Sequence, residues 1–223
     1  MLVGVDEVGR GAWAGPLAVG VATGEVAIAG GILKRRHSES YYDSKALSPR
    51  QRLVLFHELQ GRGLVFGIGY AAAPEIDALG LTGALSLAAE RGLVDLASKT
   101  SMSIDGDCLL LDGKHNYLRR TNVTMIVGGD YLHPLIAAAS IAAKLARDAL
   151  MISMDEELPY WDFVSSKGYG SKRHRFGLLW QGPSIEHRRS FRPVRELGVP
   201  VSAQFFHLPS GKVDSCCEDS RSG

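Results

Sequence analysis

The stretch that most constrains this chain begins at His133-Pro134 and runs to about Glu157. Proline fits the first turn of a helix, and the residues after it carry helical periodicity. Leu135, Ala138, Ala139, Ala142, Ala146 and Ala149 fall on one face. A face of alanines lets a helix approach its neighbour closely, so this segment predicts a helix laid against a sheet. Ser140, Lys144, Arg147 and Asp148 recur at spacings of three and four and predict a narrow polar stripe. Taken alone, that stripe is a solvent-facing strip with a Lys144–Asp148 pair. The apolar run Leu135 to Ala143 is interrupted by Ser140 and stops at Lys144, far short of a membrane span.

Strands to meet that helix are easily found. Residues 2–8 and 17–23 read as Val-rich strands, and 64–72, 109–112 and 123–127 as three more. Between them, Ser48-Pro49 opens a helix to about Leu59, and Pro74 starts a helical region to about Ser98 with a break near Gly80. The Gly- and charge-rich segment Ala29 to Ser44 reads as an exposed loop. Strands interleaved with helices give an α/β fold, a mixed β-sheet flanked by helices. From Pro159 the chain turns polar and basic and predicts short helices at best. One domain is expected over 1–200, with a core over about 1–157 and a basic C-terminal helical region over about 158–200. Residues 201–223 read as a tail, flexible after Leu208.

With 223 residues, 45% of them hydrophobic and 22% charged, the chain is neither collagenous nor disordered. Its start, Met1-Leu2-Val3-Gly4-Val5-Asp6-Glu7, lacks the basic then long apolar pattern of a secretory signal. Three cysteines form no framework: Cys108, in an apolar run, reads as a core residue, and Cys216-Cys217 lie in a polar tail. A reducing cytoplasm, no structural zinc, no membrane contact and a monomer are expected.

The net charge of +1 conceals an asymmetry. Between Lys167 and Arg195 eight Lys/Arg face the single acid Glu186, a net +7 that leaves −6 for the remainder. Such a segment predicts contact with a polyanion.

The acids sit at strand ends. Asp6 and Glu7 close an apolar strand, and on a regular strand they point to opposite faces. They can share a site only where the strand loosens, which Gly9 and Gly11 permit; a solvated strand end is the plainer reading. Asp112 ends a Leu-rich strand, where ligands of α/β sheets gather, though Asp112-Gly113 also suits a turn. Acids converging from strand ends and a helix suit Mg²⁺ or Mn²⁺, two of which can act on a phosphodiester. Gly9-Arg10-Gly11 offers uncovered backbone amides beside an arginine, able to approach a sugar-phosphate and bond a ribose hydroxyl. Tyr169, within Lys167-Gly168-Tyr169-Gly170, could stack on a sugar or base, or else pin its loop to the core.

Together these pieces resemble the bacterial ribonuclease HII family, the type 2 ribonucleases H. The resemblance rests on Val5-Asp6-Glu7-Val8-Gly9-Arg10-Gly11 with Ala14-Gly15-Pro16, Asp43-Ser44-Lys45 before Leu47-Ser48, and Asp112-Gly113. It continues through Ala137-Ala138-Ala139-Ser140-Ile141 with Ala143-Lys144 and Arg147-Asp148, then Lys167-Gly168-Tyr169-Gly170 and His187-Arg188-Arg189-Ser190-Phe191. The family's order is kept over about residues 3 to 195. Gly-Arg-Gly rather than Gly-Lys-Gly, and no extra N-terminal domain, favour this type over ribonuclease HIII.

The resemblance implies a ribonuclease H-like sheet and cleavage of the RNA strand of RNA–DNA hybrids. It also implies incision 5′ to ribonucleotides embedded in duplex DNA, leaving 5′-phosphate and 3′-hydroxyl ends. Asp6, Glu7, Asp112 and Asp148 match the family's metal-binding carboxylates, with Asp130, in a Gly-Asp context, the alternative fourth acid. Gly9, Arg10, Gly11 and Tyr169 match its reader of the RNA–DNA junction, and Lys45, Lys144, Lys167 and Arg188 are further expected substrate contacts. Ala12-Trp13 in place of Pro-Leu, and Ser166 in place of His, depart from the pattern. A second nuclease chemistry on the same fold, or a hybrid-binding module without catalysis, are the competing readings. Gln204-Phe205-Phe206-His207-Leu208 distantly resembles peptides that dock on sliding clamps, but an apolar strip folded back on the core explains it better.

Overall fold

A computed structural model describes residues 1–34, 47–101, 103 and 105–197. The segment Asp43-Ser44-Lys45, the peptide 204–208 and Cys216-Cys217 lie outside the described residues.

Five strands form one mixed sheet in the order β3-β2-β1-β4-β5. They are β1 (Leu2–Val8), β2 (Leu17–Thr23), β3 (Val65–Ala71), β4 (Cys108–Asp112) and β5 (Val123–Ile126). β1, β2 and β3 form an antiparallel meander. β4 and β5 then extend the other side of β1 in parallel.

Helix α3 (Ala73–Ala97) covers one face, burying Ala84, Leu85, Ala88, Ala89, Leu93 and Leu96 against Val3, Val5, Leu17, Val19, Val21, Leu109 and Leu111. Gly80, with φ 68°, kinks it where the sequence predicts a break. The opposite face takes α5 (Pro134–Glu157), flanked by α1 (Val26–Leu33) and α2 (Pro49–Gly61). Ser48 caps α2 by accepting from the Gln51 amide at 3.3 Å, while the Gln51 side chain accepts from the Ser48 amide at 2.9 Å.

The alanine face of α5 meets the sheet at backbone distance. A Cβ on Gly20 of β2 would lie 2.3 Å from the Ala139 carbonyl oxygen, and one on Gly4 of β1 only 2.2 Å from the Leu135 carbonyl carbon. Every residue from Pro134 to Ala143 is buried. Beyond that point the helix leaves the sheet: Ala149 is exposed and Ala146 half-buried, so the predicted apolar face ends sooner than expected.

Three further corrections have physical causes. Residues 26–33 form a helix rather than part of a loop, because Ala29 and Leu33 pack in the cluster with α5 and thereby outweigh Gly30-Gly31. Cys108 is exposed, since it opens β4 at the sheet's rim. Arg147 is fully buried and so no part of a solvent-facing stripe.

The chain after α5 makes a turn of 3₁₀ helix (Pro159–Trp161), then α6 (Phe163–Ser166), α7 (Lys172–Gln181) and α8 (Arg192–Leu197). A third cluster of Ala14, Met151, Trp161, Phe163 and Leu178 fastens this region to the end of α5 and to the loop after β1. The remaining helix, α4 (Gly129–Leu132), lies between β5 and α5.

Candidate active site and nucleic-acid surface

The sheet's mixed topology brings the acids together. β1 and β4 pair in parallel with Gly4 opposite Leu110 and Val5 opposite Leu111. One further step in that register sets Asp6 beside Asp112. Asp6 is buried on the α5 face, where the Ser140 side chain hydrogen-bonds to its carboxylate and the Glu7 amide donates at 2.8 Å. Burial, then the neighbouring Glu7 and Asp112, hold the Asp6 carboxyl well above the usual carboxylate range despite those donors.

Glu7 points to the α3 face, as strand alternation requires. There Arg10 Nη1 donates to Oε1 at 3.1 Å, and the buried Tyr117 hydroxyl stands 3.5 Å from Oε2. Burial and the charges of Glu7, Asp6 and Asp112 push the Tyr117 phenol well above its ordinary value. A cleft of about 340 Å³ opens here, lined by Arg10, Asp112, Lys114, His115 and Tyr117, with Thr82 and Leu85 of α3.

The two candidates for the fourth acid lie in different surroundings. Asp112 Oδ1 accepts from the Gly129 amide at 2.7 Å, and the next residue, Asp130, is buried at the start of α4. Asp148 is elsewhere. It lies eight residues beyond Ser140, about 12 Å farther along α5 at helical rise. Its carboxylate accepts from Lys144 at 2.7 Å and from the buried Arg52 at 3.5 Å. The structure thus places Asp148 with cations and Asp130 beside Asp112.

Gly9, Arg10 and Gly11 form the turn that ends β1. Gly9 has φ 92°, a region that favours glycine, and rests on the Arg147 guanidinium: a Cβ there would lie 2.3 Å from Nε. Arg147 donates to the carbonyls of Pro16 (2.8 Å), Lys167 (2.9 Å) and Ala14 (3.3 Å), and lies 5.7 Å from the Tyr169 ring centroid. Tyr169, half-exposed, lays its ring against Gly11, 3.9 Å from where a Cβ would stand. The turn and the tyrosine therefore form one continuous surface at the end of β1 that carries Asp6 and Glu7.

Arg188, expected to touch substrate, is fully buried. Its guanidinium donates to the carbonyls of Gly9 (2.7 Å), Arg10 (3.1 Å) and Gly15 (3.0 and 3.1 Å), so it acts on a substrate only through the turn it holds. Burial, then the nearby Arg147, lower it to about 9. Lys167, in the left-handed region, lends its carbonyl to Arg147 and its ammonium to Val164, while Lys144 is held by Asp148. Trp13, where the family pattern has another residue, packs against Gly170 and has the exposed Arg175 5.2 Å from its ring centroid.

Sequence reasoning missed Tyr117, Arg52, His174 and the role of His187. No local pattern marks them, because their partners lie tens of residues away. Hard oxygen donors such as these carboxylates fit Mg²⁺ or Mn²⁺. As they stand, no three of the described His, Cys, Asp or Glu side chains form an ion-holding group. Glu7 is paired with Arg10.

Comparison with known proteins identifies the family and the fold. The family described as Ribonuclease HII matches residues 3–194. The ribonuclease HII of Streptomyces avermitilis is 40% identical over 192 residues, covering 86% of this chain and 76% of that protein. That of Acaryochloris marina is 37% identical over 203 residues, covering 89% and 96%. Among solved structures, the ribonuclease H2 of Pyrococcus horikoshii superposes with a TM-score of 0.68 at 24% identity, covering 93% of this chain and 99% of that one. An Archaeoglobus fulgidus PCNA:RNase HII complex gives 0.64 at 24% over 85% and 93%, and a Bst-RNase HIII in complex with Mn²⁺ gives 0.64 at 17% over 88% and 68%. No described helix is long and apolar enough to cross a membrane. With its strand order, its paired strand-end acids and a match over nearly the whole described chain, this protein belongs to the ribonuclease HII family and is an endoribonuclease.

Proposed function

We propose that the chain cleaves the RNA strand of RNA–DNA hybrids and incises on the 5′ side of ribonucleotides embedded in duplex DNA. The observation that supports this is the Gly9–Gly11 turn with the Tyr169 ring packed on it, at the end of the strand that carries Asp6 beside Asp112. A ribose is recognised by its 2′-hydroxyl, which backbone groups of a bare glycine turn can reach. The exposed face of the Tyr169 ring next to that turn offers the sugar a surface to stack on.

Asp6, Glu7, Asp112 and Asp130 are the residues we assign to hold Mg²⁺ or Mn²⁺. Bound there, divalent ions supply Lewis-acid charge at the phosphodiester and lower the pKa of water. The protein's own part is positional. Ser140 and the Glu7 amide orient Asp6, the Gly129 amide orients Asp112, and Arg147 with Arg188 fixes the turn that seats the ribose. Hydrolysis adds water across the bond from phosphorus to the 3′ oxygen, leaving 5′-phosphate and 3′-hydroxyl ends. Exposed Lys172, Arg173, Arg175 and Arg189 follow the phosphates of the flanking duplex.

The test compares all-DNA, all-RNA, hybrid and single-ribonucleotide duplexes, each with and without Mg²⁺ or Mn²⁺. Metal-dependent cutting of the last two, abolished in Asp6→Asn, is expected. Cutting of all-DNA duplex, or an Asp6→Asn variant near wild-type rate, refutes the assignment. The PCNA:RNase HII complex among the structural neighbours supports a separate reading of residues 204–208 as a sliding-clamp peptide; clamp binding that is absent, or unaltered by deleting 203–223, removes it.

A further inference from the structure

We infer that His174 and His187 are positioning residues that join the Tyr169 loop to the segment holding the Gly9–Gly11 turn through one proton-ordered chain of hydrogen bonds. The inference rests on the reading of Tyr169 and the glycine turn as the ribonucleotide reader, and it concerns residues outside the acid cluster.

Both imidazoles are buried, and their Nε2 atoms lie 2.9 Å apart. One of the two must donate and the other accept, and their outer partners decide which. At one end the Ser184 amide, which can only donate, stands 3.0 Å from His187 Nδ1, with the Ser184 hydroxyl at 2.9 Å from the same atom. His187 Nδ1 is therefore a bare acceptor, and the ring's proton sits on Nε2. His187 Nε2–H then donates to His174 Nε2, which leaves the proton of His174 on Nδ1. At the far end His174 Nδ1 lies 2.9 Å from the Tyr169 carbonyl oxygen, which can only accept. A pure donor at one end and a pure acceptor at the other permit a single arrangement of the two protons. Aromatic neighbours keep the rings in place: Phe163 meets His174 edge-on at 5.5 Å, and Trp161 packs on His187 at 5.2 Å.

The ends of this chain lie at the tyrosine loop and at the strap that holds the glycine turn. Tyr169, whose carbonyl is held, lays its ring on Gly11. His187 is followed directly by Arg188, whose guanidinium holds the Gly9 and Arg10 carbonyls. The strap 184–188 also takes backbone bonds from the turn's far side, with the Arg188 amide donating to the Trp13 carbonyl at 2.8 Å and the Gly15 amide to Glu186 at 2.8 Å. Cutting the imidazole link removes the side-chain tie between the tyrosine loop and the strap, which then stay joined only through the backbone of Trp13 and Ala14, while leaving the sheet and its acids untouched. A single ribonucleotide must be seated in one register, whereas an RNA tract offers a 2′-hydroxyl at every step. Loss of the link is therefore felt most on the single-ribonucleotide substrate.

The test uses the full chain. In the free wild-type protein, long-range ¹⁵N–¹H correlation of the histidines should show His187 protonated at Nε2 and His174 at Nδ1. The opposite tautomer on either ring overturns the inference, whatever the substrate proves to be. His187→Asn keeps an acceptor for the Ser184 amide but cannot reach His174. It should shift the Tyr169 carbonyl ¹³C resonance, and an unmoved resonance in a folded variant counts against the link. At saturating substrate, the same variant should cut a single embedded ribonucleotide on the order of tenfold more slowly, with a smaller loss on an RNA tract. Equal loss on both, tracking a lowered Tm, would reduce the histidines to packing. A wild-type protein inert on embedded ribonucleotides sinks the functional reading alone, since tautomers and the Tyr169 resonance still decide the link.

Discussion

Arg147 lies directly beneath Gly9, so close that a single methyl group on the glycine would come within 2.3 Å of the guanidinium Nε. The glycine is thus required twice, by its positive φ and by the buried side chain under it. Gly9→Ala should destabilise the protein by about 2 kcal/mol or more. It should also displace the turn and depress incision at single ribonucleotides. Urea unfolding and single-turnover cleavage check both outcomes; a variant with wild-type stability contradicts the contact.

The two candidate fourth acids separate cleanly by substitution. Asp130→Asn should weaken Mn²⁺ binding measured by calorimetry and slow cleavage on the order of a hundredfold. Asp148→Asn should leave cleavage nearly intact while lowering stability by about 1–3 kcal/mol, because the buried Arg52 loses its charged partner. The reverse pattern would return Asp148 to the metal site.

Arg188 distinguishes holding a turn from touching a phosphate. Arg188→Lys leaves most of its carbonyl partners without donors and should cost about 2–4 kcal/mol. The salt dependence of duplex binding should keep its slope. Arg173→Ala, on the exposed face of α7, should instead leave stability unchanged and reduce that slope by about one unit if it meets a phosphate.

The buried imidazoles also set an acid limit to stability. Burial, then His174 and Arg189, push His187 down to about 3. Burial lowers His174 as well, against the Tyr169 carbonyl and Asp162. An unfolded imidazole titrates near about 6.5, so below that pH the unfolded chain takes up protons that the folded one refuses. Stability is therefore full above about 6.5 and falls as pH drops, toward 3 and by up to about 1.4 kcal/mol per pH unit for His187, with His174 adding in the same direction. Unfolding between about pH 5 and 6.5, where ordinary carboxylates stay ionised, should show a shallower slope in His187→Asn than in wild type. Parallel slopes would rule the histidines out as the cause.

What could be read from the sequence was what repeats locally. β1 and β2 fall where Val-rich alternation puts them, and Pro49, Gly80 and Pro134 mark a helix start, a kink and a helix start. Asp6, Glu7 and Asp112 are visible as acids at strand ends, but it is the family resemblance, not their position, that marks them as one set. What could not be read depends on partners far along the chain. Arg147 falls on a polar stripe by periodicity, yet it is buried because the loop carbonyls of Ala14, Pro16 and Lys167 converge on it. Asp130 and Asp148 look alike as acids near the long helix. Only the β4–α4 contact and the Arg52 ion pair separate them. His174 and His187 are thirteen residues apart with no shared pattern, and only the packing of α7 on the strap pairs them.

The parallel pairing of β1 with β4 has a consequence for the order of assembly. Leu2 meets Cys108, so the first strand of the chain waits for a partner synthesised more than a hundred residues later. The antiparallel meander β1-β2-β3 can form early, from neighbours in sequence. A half-made chain can thus hold Asp6 and Glu7 in a formed strand while lacking Asp112 and Asp130 altogether. On the assignment proposed above, a chain would gain hydrolytic competence only once β4 and α4 are in place, and an incomplete chain emerging from the ribosome would not cut the nucleic acid around it.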